Sequence, residues 1–408
     1  MVPVEIKKGI YWVGVIDWGV RNFHGFTYNT ARGTTYNAYL IVDEKVAVVD
    51  TVFGPFAEDF VSKIKDIVPL EKIDYVIANH VETDHSGALP ELMRLCPKAK
   101  VVGTAKCKEG LWRNYYGDWD FQVVKTGDTI KLGRRSLTFI EAPMIHWPDS
   151  MFSYCPEEGL LLPNDAFGQH YASSGRFDDE VDQCALMDEA AKYYANILLP
   201  LGGVISKKLE ELKKMNLFIS MIAPSHGVIW RREPQRIVEA YSRWANNQTH
   251  PKVVIVYETM WQATEKMAFK ISQGLGIAGV EHKVFNIGVS SVTEVVKELL
   301  EAKGIIVGSS THDNSMLNII AGFLHFLKGL KPRNRIGACF GSYGWQGGAI
   351  KEMEAALKEV GIEQGMPSLG FQYLPDEQGF QQCVNWGKGF GELVLNENRT
   401  GKDTVNLK

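Results

Sequence analysis

Ahead of Ser242 the chain is a series of short apolar runs separated by turn residues. NAYLIV (37–42), VAVVDT (46–51), YVIAN (75–79), KVVGT (100–104), SLTFIEA (136–142) and GLLLPND (159–165) are apolar or β-branched and bounded by Gly, Asp or Pro, which predicts strands. Helical spacing predicts helices over 56–67 and 88–95, and a long helical region over roughly 181–220. SRWANNQTHP (242–251) is polar, ends in Pro251 and reads as a boundary. Beyond it the texture becomes regular. KVVIVY (252–257), HKVFNI (282–287), GIIVGS (304–309), RIGACF (335–340) and SLGFQY (368–373) alternate with helical patterns at 264–274, 291–302, 315–329 and 346–360. Continuous apolar runs suit parallel strands covered by helices on both faces. The pattern predicts an α/β chain of two domains, 1–248 and 249–408.

Composition narrows this picture without redirecting it. With 408 residues, 45% hydrophobic and 23% charged, the chain is long enough for two substantial cores. The net charge of −4 and the absence of a Lys/Arg block give no electrostatic case for nucleic acid. Cys96, Cys107, Cys155, Cys184, Cys339 and Cys383 form no Cys-x-x-Cys pair, so a zinc ribbon or rubredoxin-type iron site is not expected within these residues. Scattered cysteines predict buried thiols in a reducing compartment. No signal-type leader or run of 18 apolar residues is seen. The expectation is a cytoplasmic protein without a membrane span.

The stretch NHVETDHSGA (79–88) places His80, Glu82, Asp84 and His85 just after an apolar run. Ligands collect at such strand ends in α/β folds, and a spacing of two puts alternate side chains on one side. His146 follows the run 136–142, Asp165 closes LLLPND, and His226 stands in MIAPSHGVIW. Singly each is as readily a turn, cap or core residue; the recurrence of a polar residue after a strand is what points to a metal. His80, Glu82, Asp84, His146, Asp165 and His226 supply three imidazoles and three carboxylates. Two divalent ions leave one positive charge for a bridging hydroxide. Mixed imidazole and carboxylate suits iron or zinc, and one carboxylate can bridge two ions ~3.5 Å apart.

The order of these residues resembles the metallo-β-lactamase fold, whose hydrolases carry His-x-His-x-Asp-His. Glu82 departs from it, and that departure, with RGTTYNAYLI, HWPDSM, PNDAFGQH and APSHGVIW, resembles the flavodiiron proteins, the rubredoxin:oxygen oxidoreductases. The resemblance spans nearly the whole chain. It implies an αββα sandwich carrying two irons per chain, followed by a flavodoxin-like doubly wound sheet carrying FMN. It implies one iron on His80, Glu82 and His146, the other on Asp84 and His226, and Asp165 bridging. His85 is expected to turn away and support the site from behind the ligands, and His24 and Tyr193 or Tyr194 to line the substrate pocket. Core packing is an equal reading for the tyrosines.

Five strand–helix units over ~155 residues match a flavodoxin-like domain. Its first strand ends in YETMWQATEKMA. A strand, a hydroxyl-bearing loop and a helix N-terminus form a phosphate site, here Thr259, Met260, Trp261, Gln262, Ala263 and Thr264. Neither Gly-x-Gly-x-x-Gly nor a Walker ending is present, and the loop resembles the FMN phosphate loop of flavodoxins. An ordinary capped helix is the bland alternative. GSSTHDNSML, with Ser309, Ser310, Thr311, Asp313 and Asn314, and FGSYGWQGGA, with Ser342, Tyr343, Gly344, Trp345 and Gly347, follow the third and fourth strands and favour the flavin reading. Flavodiiron proteins often carry Ser-Pro-Thr where this chain has Ser309-Ser310-Thr311, followed by His312. His312 and Asp313 therefore bear on the flavin potential.

The resemblance implies reduction of O2 to water, of NO to N2O, or both. Electrons would come from a separate donor, rubredoxin or another reduced carrier. It also implies a head-to-tail homodimer, or a dimer of dimers, with the flavin of one chain facing the diiron site of the other. A dinuclear zinc hydrolase and a plain flavin electron carrier are the competing readings.

Overall fold

The apolar runs form strands because both their faces are covered. In the computed structural model of the chain, which describes residues 2–25 and 27–403, two compact units form. The first comprises Met1–Tyr193 and Gly203–Ser242, the second Tyr194–Gly202 and the chain from Arg243 onward.

The first unit stacks a seven-stranded sheet on a five-stranded one. The seven-stranded sheet runs Val4–Lys7, Ile10–Trp12, Tyr39–Val42, Val46–Val49, Ile73–Ile77, Lys100–Gly103 and Phe121–Val123 in spatial order. The other runs Thr129–Lys131, Ser136–Glu141, Met151–Cys155, Leu160–Leu162 and Met221–Ile222. Tyr39, Ile41, Ala47 and Val49 meet Leu137, Phe139, Met151 and Leu162 in the core between the sheets. Leu40, Val46 and Val48 are also buried, on the opposite face that the period of two assigns them. This is the metallo-β-lactamase-like architecture.

The second unit is a flavodoxin-like sheet. Glu281–Asn286, His250–Glu258, Ala302–His312 and Ile336–Tyr343 lie side by side, all parallel, and Glu363–Gln364 and Leu369–Gln372 both pair with Ile336–Tyr343. This is the 2-1-3-4-5 order of doubly wound sheets. The predicted strands are found in both units, with shifted ends.

Several elements differ from expectation. The region 181–220 is not one helix. Gln183–Tyr193 and Gly202–Lys214 are separated by a π-helical turn, Tyr194–Leu198, and a 3₁₀ turn, Leu199–Leu201, that carries Pro200. The polar stretch 242–251 is not all linker, because the helix Pro234–Ala245 enters it and a strand begins at His250. The helices Ala105–Tyr115 and Glu377–Asp403 and the strand Met151–Cys155 were not anticipated. All six cysteines are free, but Cys184 is exposed. No helix among the described residues is long and apolar enough to cross a membrane.

Candidate metal centre and flavin cradle

Four loops, each following a strand, converge in the first unit. After Ile73–Ile77 the chain bends at Asn79, carries His80 and Glu82 on irregular backbone and coils into a single helical turn, Thr83–Ser86. Spacing of two therefore does not place Asp84 and His85, which project from the turn instead. His146 follows Ser136–Glu141, Asp165 follows Leu160–Leu162 and His226 follows Met221–Ile222.

The side chains form two groups. His80, Glu82, His146 and Asp165 make one and Asp84, His85 and His226 the other; within each, one ligand atom per residue lies within 4.8 Å of the rest. In the first, His80 Nε2 and His146 Nε2 stand 3.3 and 3.4 Å from Glu82 Oε2. In the second, His226 Nε2 and His85 Nε2 stand 3.1 and 3.3 Å from Asp84 Oδ2. Asp165 faces both. Its Oδ2 lies 3.2 Å from His146 Nε2, and its Oδ1 lies 2.9 Å from His85 Nε2 and 3.5 Å from His226 Nε2. All six expected ligands are thus together. His85, expected to turn away, faces inward, because the helical turn aims its ring at Asp165.

Hydrogen bonds between these side chains, such as His80 Nε2 with Glu82 Oε2 at 3.3 Å, do not satisfy the whole cluster. Both oxygens of Asp165, Asp84 Oδ1 and both ring nitrogens of His85 are buried without a hydrogen-bond partner. Orphaned buried polar atoms are costly. Unpartnered donor atoms clustered in two groups that share Asp165 fit a pair of cations.

The metal-free charges respond accordingly. Burial lowers the His80 pKa, but hydrogen bonds to Asp149 and Glu82 outweigh it and raise it to about 10. Burial likewise opposes charge on His146 and His85, and contact with Asp165 and Glu82 raises the first to about 10, contact with Asp84 and Asp165 the second to about 9. Burial alone would raise Asp165, yet His85 and His146 hold it well below the usual carboxylate range. A bound ion replaces the protons on these imidazoles, so its affinity falls as pH falls.

Support comes from buried residues that the sequence reading missed. Asp149 Oδ2 accepts from His80 Nδ1 at 3.0 Å and from the Val81 N–H at 2.8 Å. Asp50 accepts from the Asn79 N–H and side-chain amide at 2.8 and 3.0 Å and from the Asn164 amide at 3.2 Å. It thereby joins the neighbours of His80 and Asp165. Asn37 donates to the carbonyls of Pro224 and Gly227 on either side of His226. Trp12 Nε1 donates to Asn37 Oδ1 at 2.7 Å, and the Tyr39 hydroxyl donates to the same Pro224 carbonyl at 2.7 Å. His24 Nε2 stands 3.0 Å from Glu82 Oε1 at the half-exposed mouth. His170, also missed, is fully buried between Phe23, Tyr193 and His226. Tyr193 is buried beside it, whereas Tyr194 belongs to the second unit.

In the second unit the three predicted loops leave the same sheet edge, with Glu258 opposite Ser309 and Ser310 opposite Ser342. Thr259 Oγ1 is buried with no partner, beside the Ala263–Ile277 helix N-terminus that Gln262 enters at φ +66°. That orphaned hydroxyl at a helix N-terminus fits a phosphate. Thr264, expected to donate to the anion, is buried. Its Oγ1 bonds instead to the hydroxyls of Ser310 and Ser342, both at 2.9 Å. Residues 310–312, expected as loop, continue the strand to His312 and turn through Asp313 and Asn314, both at positive φ, into Ser315–Met316. Thr311 Oγ1 accepts from the Gly348 and Ala349 N–H groups at 3.5 and 3.4 Å. A Cβ at Gly348 would lie 1.9 Å from the Asn314 carbonyl oxygen, so glycine is required there. Tyr343 ends the strand Ile336–Tyr343, and Gly344 and Gly347 lie in the third loop. Trp261 and Trp345 are 87% and 88% exposed, so neither ring is committed to packing.

A sandwich bearing a dinuclear imidazole–carboxylate site, followed by a flavin-type cradle, defines a redox flavoprotein. Family patterns agree. The ODP family beta lactamase matches residues 34–227 and Flavodoxin matches 255–387. The chain is 53% identical over 388 residues to a nitric oxide reductase of Moorella thermoacetica, covering 95% of this chain and 97% of that one. It is 41% identical over 391 residues to an anaerobic nitric oxide reductase flavorubredoxin of Escherichia coli, covering 95% and 81%. The rubredoxin oxygen:oxidoreductase of Desulfovibrio gigas superimposes with a TM-score of 0.94 at 35% identity, over 97% of this chain and 99% of that one. The flavodiiron protein of Giardia intestinalis does so with 0.95 at 34%, over 98% of each. The chain belongs to the flavodiiron protein family.

Proposed function

We infer that the protein is an oxidoreductase that reduces O2 to water, NO to N2O, or both, with FMN and a pair of irons as cofactors. The observation that carries this reading is Asp165, whose two oxygens face two separate sets of ligand atoms. We assign one ion to His80, Glu82 and His146 and the other to Asp84, His85 and His226, bridged by Asp165. Each ion would be held by four of these side chains, Asp165 being common to both sets. Bound iron supplies the positions where a diatomic gas is held and reduced, and bound FMN supplies electrons.

The chain's own residues do the rest. Three carboxylates balance all but one charge of two divalent ions. His24 ties Glu82 to the half-exposed mouth and can pass a proton from solvent at Nε2. Phe23, packed against His24, and buried His170 and Tyr193 lie beside His226 and exclude water there. In the second unit, Thr259 and the loop amides through Thr264 receive the phosphate. Ser309, Ser310, Thr311, Asp313, Asn314, Ser342, Tyr343, Gly344, Trp345 and Gly347 border the ring.

The division 1–248 and 249–408 is proposed as the division of labour between iron and flavin. The likeness to the rubredoxin oxygen:oxidoreductase of Desulfovibrio gigas supports rubredoxin or another reduced carrier as the electron donor, in a reducing cytoplasm. We place the working enzyme as a head-to-tail homodimer or dimer of dimers, with exposed Trp261 and Trp345 at the flavin edge available to a partner. Glu82 and the flavodoxin unit set aside the dinuclear zinc hydrolase.

The test is iron and flavin analysis of one purified sample, followed by anaerobic gas consumption by the reduced protein. Two irons and one FMN per chain with O2 or NO consumed is the expected result. Two zinc ions, no flavin and no gas consumption would overturn the reading.

A further inference from the structure

The imidazoles of the cluster are not backed alike. His226 Nδ1 donates to the Thr35 carbonyl oxygen at 2.6 Å, a neutral acceptor. His85 Nδ1 has no hydrogen-bond partner. His80 Nδ1 instead meets a carboxylate, Asp149 Oδ2, at 3.0 Å. The same oxygen takes the Val81 N–H at 2.8 Å, so it fixes both the ring and the backbone that carries it. Asp149 is itself held, since Thr104 Oγ1 donates to its carbonyl at 3.0 Å, and it is 3% exposed. It also lies three residues beyond His146, so one short loop supplies one ligand and supports another of the same group.

Two consequences follow. Donation from Nδ1 to Asp149 places the ring proton there and leaves the Nε2 lone pair facing Glu82 and Asp165. A carboxylate behind a ligating imidazole also makes that imidazole a stronger donor. The two ion positions have the same kinds of donor, although His24 also stands 3.0 Å from Glu82 Oε1 on the first. Each has its own carboxylate, Glu82 or Asp84, each has two imidazoles, and they share Asp165. Asp149 adds a buried negative charge on the His80 side, where the low dielectric leaves it poorly screened.

We propose that Asp149 is a positioning residue that makes the two irons inequivalent. It pins the tautomer of His80 and lowers the reduction potential of the iron held by His80, Glu82 and His146 relative to its neighbour. This rests on the diiron reading, yet its first arm does not need iron: chelator release can be followed for whichever metal the protein holds.

The variants are Asp149→Asn and Asp149→Ala in the full chain. Asparagine can keep its oxygen on both N–H groups while losing the charge; alanine loses the bonds as well. Asp149→Asn is expected to retain two metals and wild-type FMN, to release one metal to chelator roughly 10- to 100-fold more readily, and to raise the midpoint potential of one iron. In Mössbauer spectra of half-reduced protein the ferrous and ferric sites should become less distinct. Asp149→Ala should purify with one metal per chain and FMN unchanged, the flavin showing that the chain has folded. Asp149→Asn with unchanged release and potentials, or Asp149→Ala with two metals held as tightly as in wild type, overturns the proposal. Two zinc ions and no flavin in the wild type would instead defeat the diiron reading.

Discussion

Glu298, on the helix Val292–Leu299, has three lysines around its carboxylate. Lys252 and Lys283 each donate at 2.6 Å, and Lys297 Nζ stands at 3.3 Å. Lys252 and Lys283 come from adjacent parallel strands, His250–Glu258 and Glu281–Asn286, so the carboxylate ties these strands together at the end opposite the flavin loops. Burial alone would raise its pKa, but the hydrogen bonds from Lys252 and Lys283 outweigh burial and hold it at about 2, against an ordinary 4.5. A carboxyl depressed in this way adds stability above pH 4.5, and that stability is lost as pH falls from 4.5 towards 2. At ~1.36 kcal/mol per tenfold change in proton affinity, the difference is worth about 3 kcal/mol at neutral pH. The side chain is 8% exposed, so solvent screening takes little from this. Glu298→Gln should therefore cost about 3 kcal/mol at pH 7 and about half that at pH 3. Urea unfolding of wild type and variant, followed by flavin release and circular dichroism, measures the gap. Salt raised from about 0.1 to about 1 M should leave it nearly unchanged at pH 7, as expected of a buried pair. A gap under about 0.5 kcal/mol at pH 7, or one that does not narrow at pH 3, would show an ordinary surface cluster instead.

The metal assignments make sharper predictions. Asp165→Asn should purify with one iron per chain or fewer, and elemental analysis finding two would sink the bridge. His85→Ala should keep FMN but hold a single iron; two irons would return His85 to a place behind the ligands. Thr259→Ala should weaken FMN roughly 10- to 100-fold, from the loss of one charge-assisted bond worth roughly 1.5–3 kcal/mol, with iron unchanged. Fluorescence titration reads this, and wild-type affinity would mean the cradle lies elsewhere.

What could be read in the sequence depended on distance along the chain. His80, Glu82 and Asp84 were visible because they crowd one strand end, and His146, Asp165 and His226 because each follows an apolar run. The direction of His85 was not, since it depends on one helical turn that breaks the alternation. Asp149 and Asp50 were missed for another reason. Their partners, His80 and Asn164, stand 69 and 114 residues away, and a lone Asp carries no local sign of that. The helix Glu377–Asp403 was hidden by its glycines, which disfavour helix intrinsically. They serve packing instead. A Cβ at Gly387 would lie 2.2 Å from the Ile271 carbonyl oxygen, and one at Gly274 would lie 2.1 Å from that of Val384. Close approach of two helices thus prevails over propensity. Thr264, expected in the loop, lies in the helix Ala263–Ile277 with its hydroxyl taken by Ser310 and Ser342, which no reading of one loop reveals.

Asp50 holds Asn79 and Asn164 through one carboxylate, at a left-handed backbone position of φ +57°, with Asn164 likewise at φ +53°. For heredity, this makes three separate codons behave as one locus. Once Asp50 is lost, both asparagines have lost their shared acceptor, so a further change at either removes less than it would have removed before, although Asn79 Oδ1 still accepts from the Ser153 hydroxyl at 2.8 Å. Contacting residues in one network show couplings of roughly 0.5–3 kcal/mol. Selection would therefore resist the first change strongly and the second and third weakly. A lineage that abandoned this diiron chemistry should shed the three residues together rather than one by one.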